Sequence, residues 1–186
     1  MSAVGVNLAG YLGATLGVGE AARQVRGALL SAGTPVAELP VSSRGAPAPP
    51  GPHPAPHPVT LVCVNPDGMP GVRDELGPGP FEGRHVVGLW WWEVASFPAH
   101  WARGFDGLDE VWAGTRFVAD AIAAVSPVPV VHVPTPVAQP VVAPQTPLNR
   151  HPLRMKAAAR GRRDEVRSFR QAPDLICASI AHRANL

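Results

Sequence analysis

The sequence predicts an α/β fold, a Rossmann-like parallel sheet of about six strands with helices on both faces. Two observations carry this. Short apolar runs of four to seven residues recur along the chain (Val59–Val64, Val86–Trp92, Glu110–Ala113, Val128–Val133). Between them lie stretches with helical periodicity, among them the every-fourth-residue set Phe97, Trp101 and Phe105. Strands buried on both faces read as continuous apolar runs, and their alternation with helices implies βαβ units.

The elements follow in order. Val4, Val6 and Leu8 alternate with small or polar residues and predict a first strand. The segment GYLGATLGVGEAAR, residues 10–23, then places four glycines ahead of a helix with Val18, Ala22, Val25 and Leu29 on one side. Gly33 is its expected stop, in the left-handed position past the last turn. A glycine loop entering a helix N-terminus suits a phosphate or sugar, so Gly17 and Gly19 are candidate ligand contacts. The same glycines also serve a plain strand-to-helix turn. Glu20 is a further candidate, equally explained as a partner of the helix dipole.

Gly17, Gly19 and Ala22 also spell G-x-G-x-x-A, with Glu38 near the end of a second strand, Val36–Leu39. That is the dinucleotide fingerprint with its ribose-binding acid. Here several residues separate the first strand from Gly17, where the fingerprint starts at once. Residues 41–58 form a proline-rich surface loop, with His53 and His57 as solvated residues. Val59–Val64 is the third strand, and Asn65, Asp67 and Gly68 follow at its C-terminal end. That end is where open parallel sheets bind ligands, and these are ordinary turn residues too. Residues 69–83 predict a short helix and a loop, and His85 a surface position before the next strand.

Val86–Trp92 is the fourth strand, with Glu93 at its end. Three successive tryptophans cannot share one strand face, so both faces there are aromatic. Ser96 and Pro98 read as the start of a helix carrying Phe97, Trp101 and Phe105. Glu110–Ala113 is the fifth strand. Thr115 caps a helix whose inner face is Val118, Ala121, Ile122 and Val125. Ser126-Pro127 ends that helix, and Val128–Val133 is the sixth strand.

This central run carries a resemblance. Trp92-Glu93, Phe97-Pro98, Trp101, Asp109–Trp112, Thr115–Ala121 and Pro127–Pro134 follow in the order of the N-terminal, acceptor-side domain of bacterial GT-B-fold retaining glycosyltransferases. The resemblance implies hexosyl transfer from a nucleotide-sugar, as co-substrate, to an acceptor glycan or lipid. It implies neither a further cofactor nor a metal. By position, Glu93 matches a polar residue facing the acceptor, often a histidine in the wider family, where it would bond or polarise an acceptor hydroxyl; a carboxylate capping the next helix explains it equally. Thr115 and Arg116 match the helix start at the cleft, and Arg116 reads equally as a solvated surface residue. The rival reading is a non-catalytic nucleotide- or NAD-binding Rossmann domain or interaction module.

Composition bounds the rest. The 186 residues allow one domain with a tail, and 42 of them are Gly or Pro. Residues 1–149 carry a net charge of −4 and residues 150–186 one of +6. A single basic run is weak ground for nucleic-acid binding. Cys63 and Cys177 stand far apart with no metal-ligand spacing, which fits a reduced cytoplasmic protein. No run is long and apolar enough for a transmembrane segment, and the N-terminus lacks signal-peptide features. The domain pattern is expected over 1–143. Residues 144–186 read as a basic tail foreign to it, as after a shifted frame or premature end, with Leu175–Ile180 as a weakly apolar end able to dock. A pair of glutamates eight apart, the family's donor-site mark, is missing from that tail. The chain alone is therefore expected to be inactive or to need a partner supplying the donor-binding half.

Overall fold

The computed structural model describes residues 4–43, 45–49 and 53–136, together with Ile176 and Ala178. Six parallel strands form one sheet: β1 (Val6–Gly10), β2 (Val36–Pro40), β3 (Val59–Cys63), β4 (His85–Trp90), β5 (Glu110–Ala113) and β6 (Val130–His132). Their order across the sheet is β2-β1-β3-β4-β5-β6. β1 is the pivot, with Val6 opposite Val36 on one side and Val59 on the other. β1 and β3 are buried at every position, whereas the edge strands β2 and β6 are mostly half-buried. That difference explains why the central strands read as unbroken apolar runs.

Helices cover both faces, as the sequence predicts. Helix α1 (Gly17–Ser31) packs over β1, β2 and β3 through Ala22, Val25 and Leu29. Its end is a Schellman turn: Gly33 has φ of +75°, Gly33 N–H donates to Leu30 O and Thr34 N–H to Leu29 O. The opposite face is covered by helix α2 (Met69–Leu76), a 3-10 helix (Ala99–Phe105) and helix α3 (Arg116–Ala123). Ile176 is helical and buried on the α1 side, in the cluster that holds Val87, Leu89, Trp112 and Val133. At this residue the C-terminal segment meets the body of the domain. Apart from Ile176 and Ala178, residues 144–186, Cys177 included, lie outside the described residues.

Several local expectations are corrected. β4 ends at Trp90, so Trp91 and Trp92 belong to the following loop. The segment after Pro98 is 3-10 rather than α-helical, and its N-cap is Pro98, not Ser96. Its aromatics still converge: Phe97 and Phe105 lie 5.3 Å apart, and Phe105 lies 4.8 Å from Trp90. Thr115 does cap α3, its hydroxyl accepting the Val118 N–H at 3.2 Å. Val125 falls beyond the last turn of α3 and is 52 % exposed. β6 spans only Val130–His132. His85 opens β4 half-buried, facing Glu110 at 3.4 Å. His57 is half-buried rather than solvated, its ring lying against Gly5 where a Cβ would stand. Cys63 is a free thiol with no exposure, and burial pushes its pKa up.

The proline-rich loop is anchored at both ends. Both carboxylate oxygens of Glu75 accept the Ser42 N–H at 3.0 Å, and Ser42 Oγ donates to Oε1 at 2.7 Å. At the other end the Asn7 amide clasps the His57 backbone, accepting its N–H at 3.0 Å and donating to its carbonyl at 2.8 Å.

Candidate functional site

The strand order reverses direction at β1. From β1 the chain crosses by α1 to β2 on one side, and from β3 it crosses by α2 to β4 on the other. The loops leaving β1 and β3 therefore diverge to opposite faces and leave a crevice at the C-terminal edge of the sheet. A cleft of about 750 Å³ occupies this place, a volume within the usual range for small-molecule sites. Its lining comes from the start of α1 and from two loops. Leu16, Gly17, Val18 and Ala21 follow β1, Asn65 follows β3, and Trp91 to Val94 follow β4.

The loop after β1 is built by its own charges. Glu20 Oε2 accepts from Arg23 at 3.0 and 2.8 Å, and Oε1 accepts from Gln24 at 3.1 Å. The Gln24 hydrogen bond, then the Arg23 one, hold the Glu20 carboxyl below its ordinary pKa. Arg23 Nη1 in turn donates to the Leu12 and Ala14 carbonyls at 3.1 and 2.9 Å. Glu20 thus orients the arginine that clasps the loop. Gly19 is buried under the same loop, where a Cβ would lie 2.5 Å from Tyr11 O and 2.8 Å from Ala14 O. Its glycine serves close packing of the helix start against the loop. Gly17 is open, lines the cleft and stands in the first turn of α1, whose N-cap Leu16 supplies no side-chain cap.

Tyr11 braces the loop from the other side. A Cβ on Gly68 would lie 2.7 Å from its hydroxyl, and its phenol pKa is pushed up by burial first and then by the charges of Asp67 and Glu75. Asp67 itself is exposed and does not line the cleft. Asn65 does, and its Oδ1 accepts the Trp91 N–H at 2.9 Å. The asparagine NH₂ is the group it retains for a ligand.

Glu93 lines the cleft on the loop after β4, exposed and with no hydrogen-bond partner among the described residues. Trp91 and Trp92 flank it from opposite sides of the sheet, Trp91 packing on the α1-side core and Trp92 on the other. Thr115 and Arg116 lie at the end of β5, both exposed, and neither lines the cleft. Glu38 also lies away from it, in β2, paired with Arg26 at 2.9 Å. The structure therefore brings together Gly17, Asn65 and Glu93 from the predicted set. It adds Leu16, Val18, Ala21, Trp91, Trp92 and Val94.

Among the described residues no group of three or more His, Cys, Asp or Glu is placed to hold a metal ion, and no helix is long and apolar enough to cross a membrane. The fold is an open-sheet α/β domain with a cleft at its topological switch point. No protein-family model, curated protein or solved structure matches the chain.

Proposed function

We propose that this domain is the acceptor-side half of a glycosyltransferase, which moves a hexose from a nucleotide-sugar to a hydroxyl. The observation that carries the reading is Glu93, a carboxylate with no partner among the described residues that lines the switch-point cleft. The resemblance over 86–134 supports it. In this reading the acceptor hydroxyl donates its hydrogen bond to Glu93 and accepts one from the Asn65 NH₂. The sugar C1–phosphate bond breaks as the hydroxyl oxygen bonds to C1, with the configuration retained, and Glu93 is placed to draw off the hydroxyl proton. The cleft's described lining carries no cation to meet a departing diphosphate. A second, donor-binding half meets that charge.

The test uses the whole chain. In an extract of source cells deleted for this gene, added chain should restore label transfer from UDP-glucose or GDP-mannose to at least one of octyl β-D-glucoside, 2-naphthol and maltose. Glu93→Gln should remove most of it. In calorimetry the chain alone should bind one of these acceptors and not NAD. NAD binding that disappears in Gly17→Ala and Glu38→Ala would establish the dinucleotide reading instead. The absence of any chain-dependent transfer would sink the transferase reading.

A further inference from the structure

Resting on that reading, we infer that the cleft takes a neutral acceptor whose single reacting hydroxyl is carried on an apolar scaffold, rather than an oligosaccharide or a sugar phosphate. Its walls are Leu16, Val18, Ala21, Trp91, Trp92 and Val94. Leu16 and Val94 are 46 % and 52 % exposed, among the few large apolar side chains of the described residues left open to solvent. Apolar side chains gathered at the rim of a concave site gain by covering an apolar ligand.

The tryptophans contribute ring surface and no donors. Trp92 Nε1 donates to the Ser96 carbonyl at 3.0 Å and Trp91 Nε1 to the Thr135 hydroxyl at 3.4 Å. Both backbone and side chain of Trp91 are engaged, since its N–H is held by Asn65. The polar side chains in the lining reduce to one donor, the Asn65 NH₂, and one acceptor, the Glu93 carboxylate. One hydroxyl satisfies both, since it donates once and accepts as well. A free sugar bears a hydroxyl on nearly every carbon, and most of them would lose water without gaining a partner.

Charge excludes the phosphorylated alternative. No Arg, Lys or His is among the described lining residues, and Glu93 places a negative charge there. Glu20 and Arg23 in the first two turns of α1 pair with each other at 2.8 Å, and Arg23 is further held by two loop carbonyls, so Arg23 is not free to meet an anion. An anion entering this cleft would meet the Glu93 charge and no cation among the described lining residues.

The experiment is calorimetry on the full chain with 2-naphthol, maltose and glucose 1-phosphate, each at several salt concentrations. To separate a soluble aromatic from a lipid source of the same chemistry, farnesol in phosphatidylcholine vesicles forms a further arm. We expect 2-naphthol or farnesol to bind at least roughly tenfold more tightly than maltose or glucose 1-phosphate, with little salt dependence. Leu16→Arg and Val94→Arg alter exposed positions that the fold tolerates, and should reverse that order. Tighter binding of maltose or glucose 1-phosphate, or no binding of either apolar probe, overturns the inference. The transferase reading fails separately: apolar binding without chain-dependent sugar transfer leaves the ligand class standing and removes the reaction. Transfer to maltose alone does the converse.

Discussion

The Asn65 side-chain oxygen accepts the Trp91 backbone N–H at 2.9 Å, tying the loop after β3 to the loop after β4 beside the cleft. Asn65→Ala removes this bond and should cost about 1 kcal/mol in urea unfolding. Asn65→Asp keeps an oxygen acceptor for Trp91 but replaces the NH₂ with a second negative charge near Glu93. Its urea midpoint should stay near that of the parent while calorimetric binding of 2-naphthol falls. Equal destabilisation in both variants would show that the amide group serves the fold alone.

Gly17 and Gly19 look alike in the sequence and should behave oppositely. A Cβ at Gly19 would stand 2.5 Å from Tyr11 O and 2.8 Å from Ala14 O, so backbone must move. Gly19→Ala should cost roughly 1–3 kcal/mol, the range for overpacked sites. A Cβ at Gly17 meets nothing within 4 Å, and the residue is helical. Gly17→Ala should be neutral or stabilising by up to about 1 kcal/mol. Urea denaturation of the two single variants decides the matter.

The same pair shows where sequence reading stops. Strand and helix order were legible because parallel strands buried on both faces leave apolar runs, as in β1 and β3. Thr115 and Gly33 were legible because cap and stop are local chemistry. The cleft was legible only at Asn65, Glu93 and Gly17, since strand ends predict where ligands meet an open sheet. Val18 and Ala21 were not, because an apolar residue on a helix looks the same whether it faces a core or a cleft. The 3-10 form of Ala99–Phe105 was hidden as well. Its aromatic spacing fits an α-helix, and the distinction follows from how Phe97 and Phe105 close on Trp90. Nothing local separates Gly17 from Gly19, because the clash at Gly19 comes from how the loop folds back over it.

His57 makes stability depend on pH on the acid side. Its ring packs against Gly5, and burial holds its pKa below the ordinary 6.5. The unfolded chain then takes up the proton more readily than the folded one. The contribution is fully present above pH 6.5 and is lost as pH falls through the lower, folded-state value. His57→Phe keeps a ring at the site and removes the proton. Urea midpoints at pH 7.5 and 5.5 should show a smaller acid loss in the variant than in the parent. An equal loss in both would assign the acid sensitivity to other groups.

Ile176 tests whether the basic C-terminal segment belongs to the fold. Helix α1 lies over β1, β2 and β3, so the same sheet face over β4, β5 and β6 needs another cover. There Val87, Leu89 and Val133 are all at most 3 % exposed, Trp112 has no exposure, and Ile176, 1 % exposed, shares their cluster. A segment foreign to the body would leave that cluster indifferent to its sequence. If Ile176 fills a place in the core, Ile176→Ala should cost about 2–5 kcal/mol and Ile176→Val about 0.5–1.5 kcal/mol. Trp112 supplies a second readout, because loosening this cover admits water to its indole and shifts the tryptophan emission to longer wavelength. Unchanged urea midpoints and emission in Ile176→Ala would return residues 144–186 to the status of a tail. A graded loss from Val to Ala would instead make the segment around Ile176 a working layer of the α/β domain.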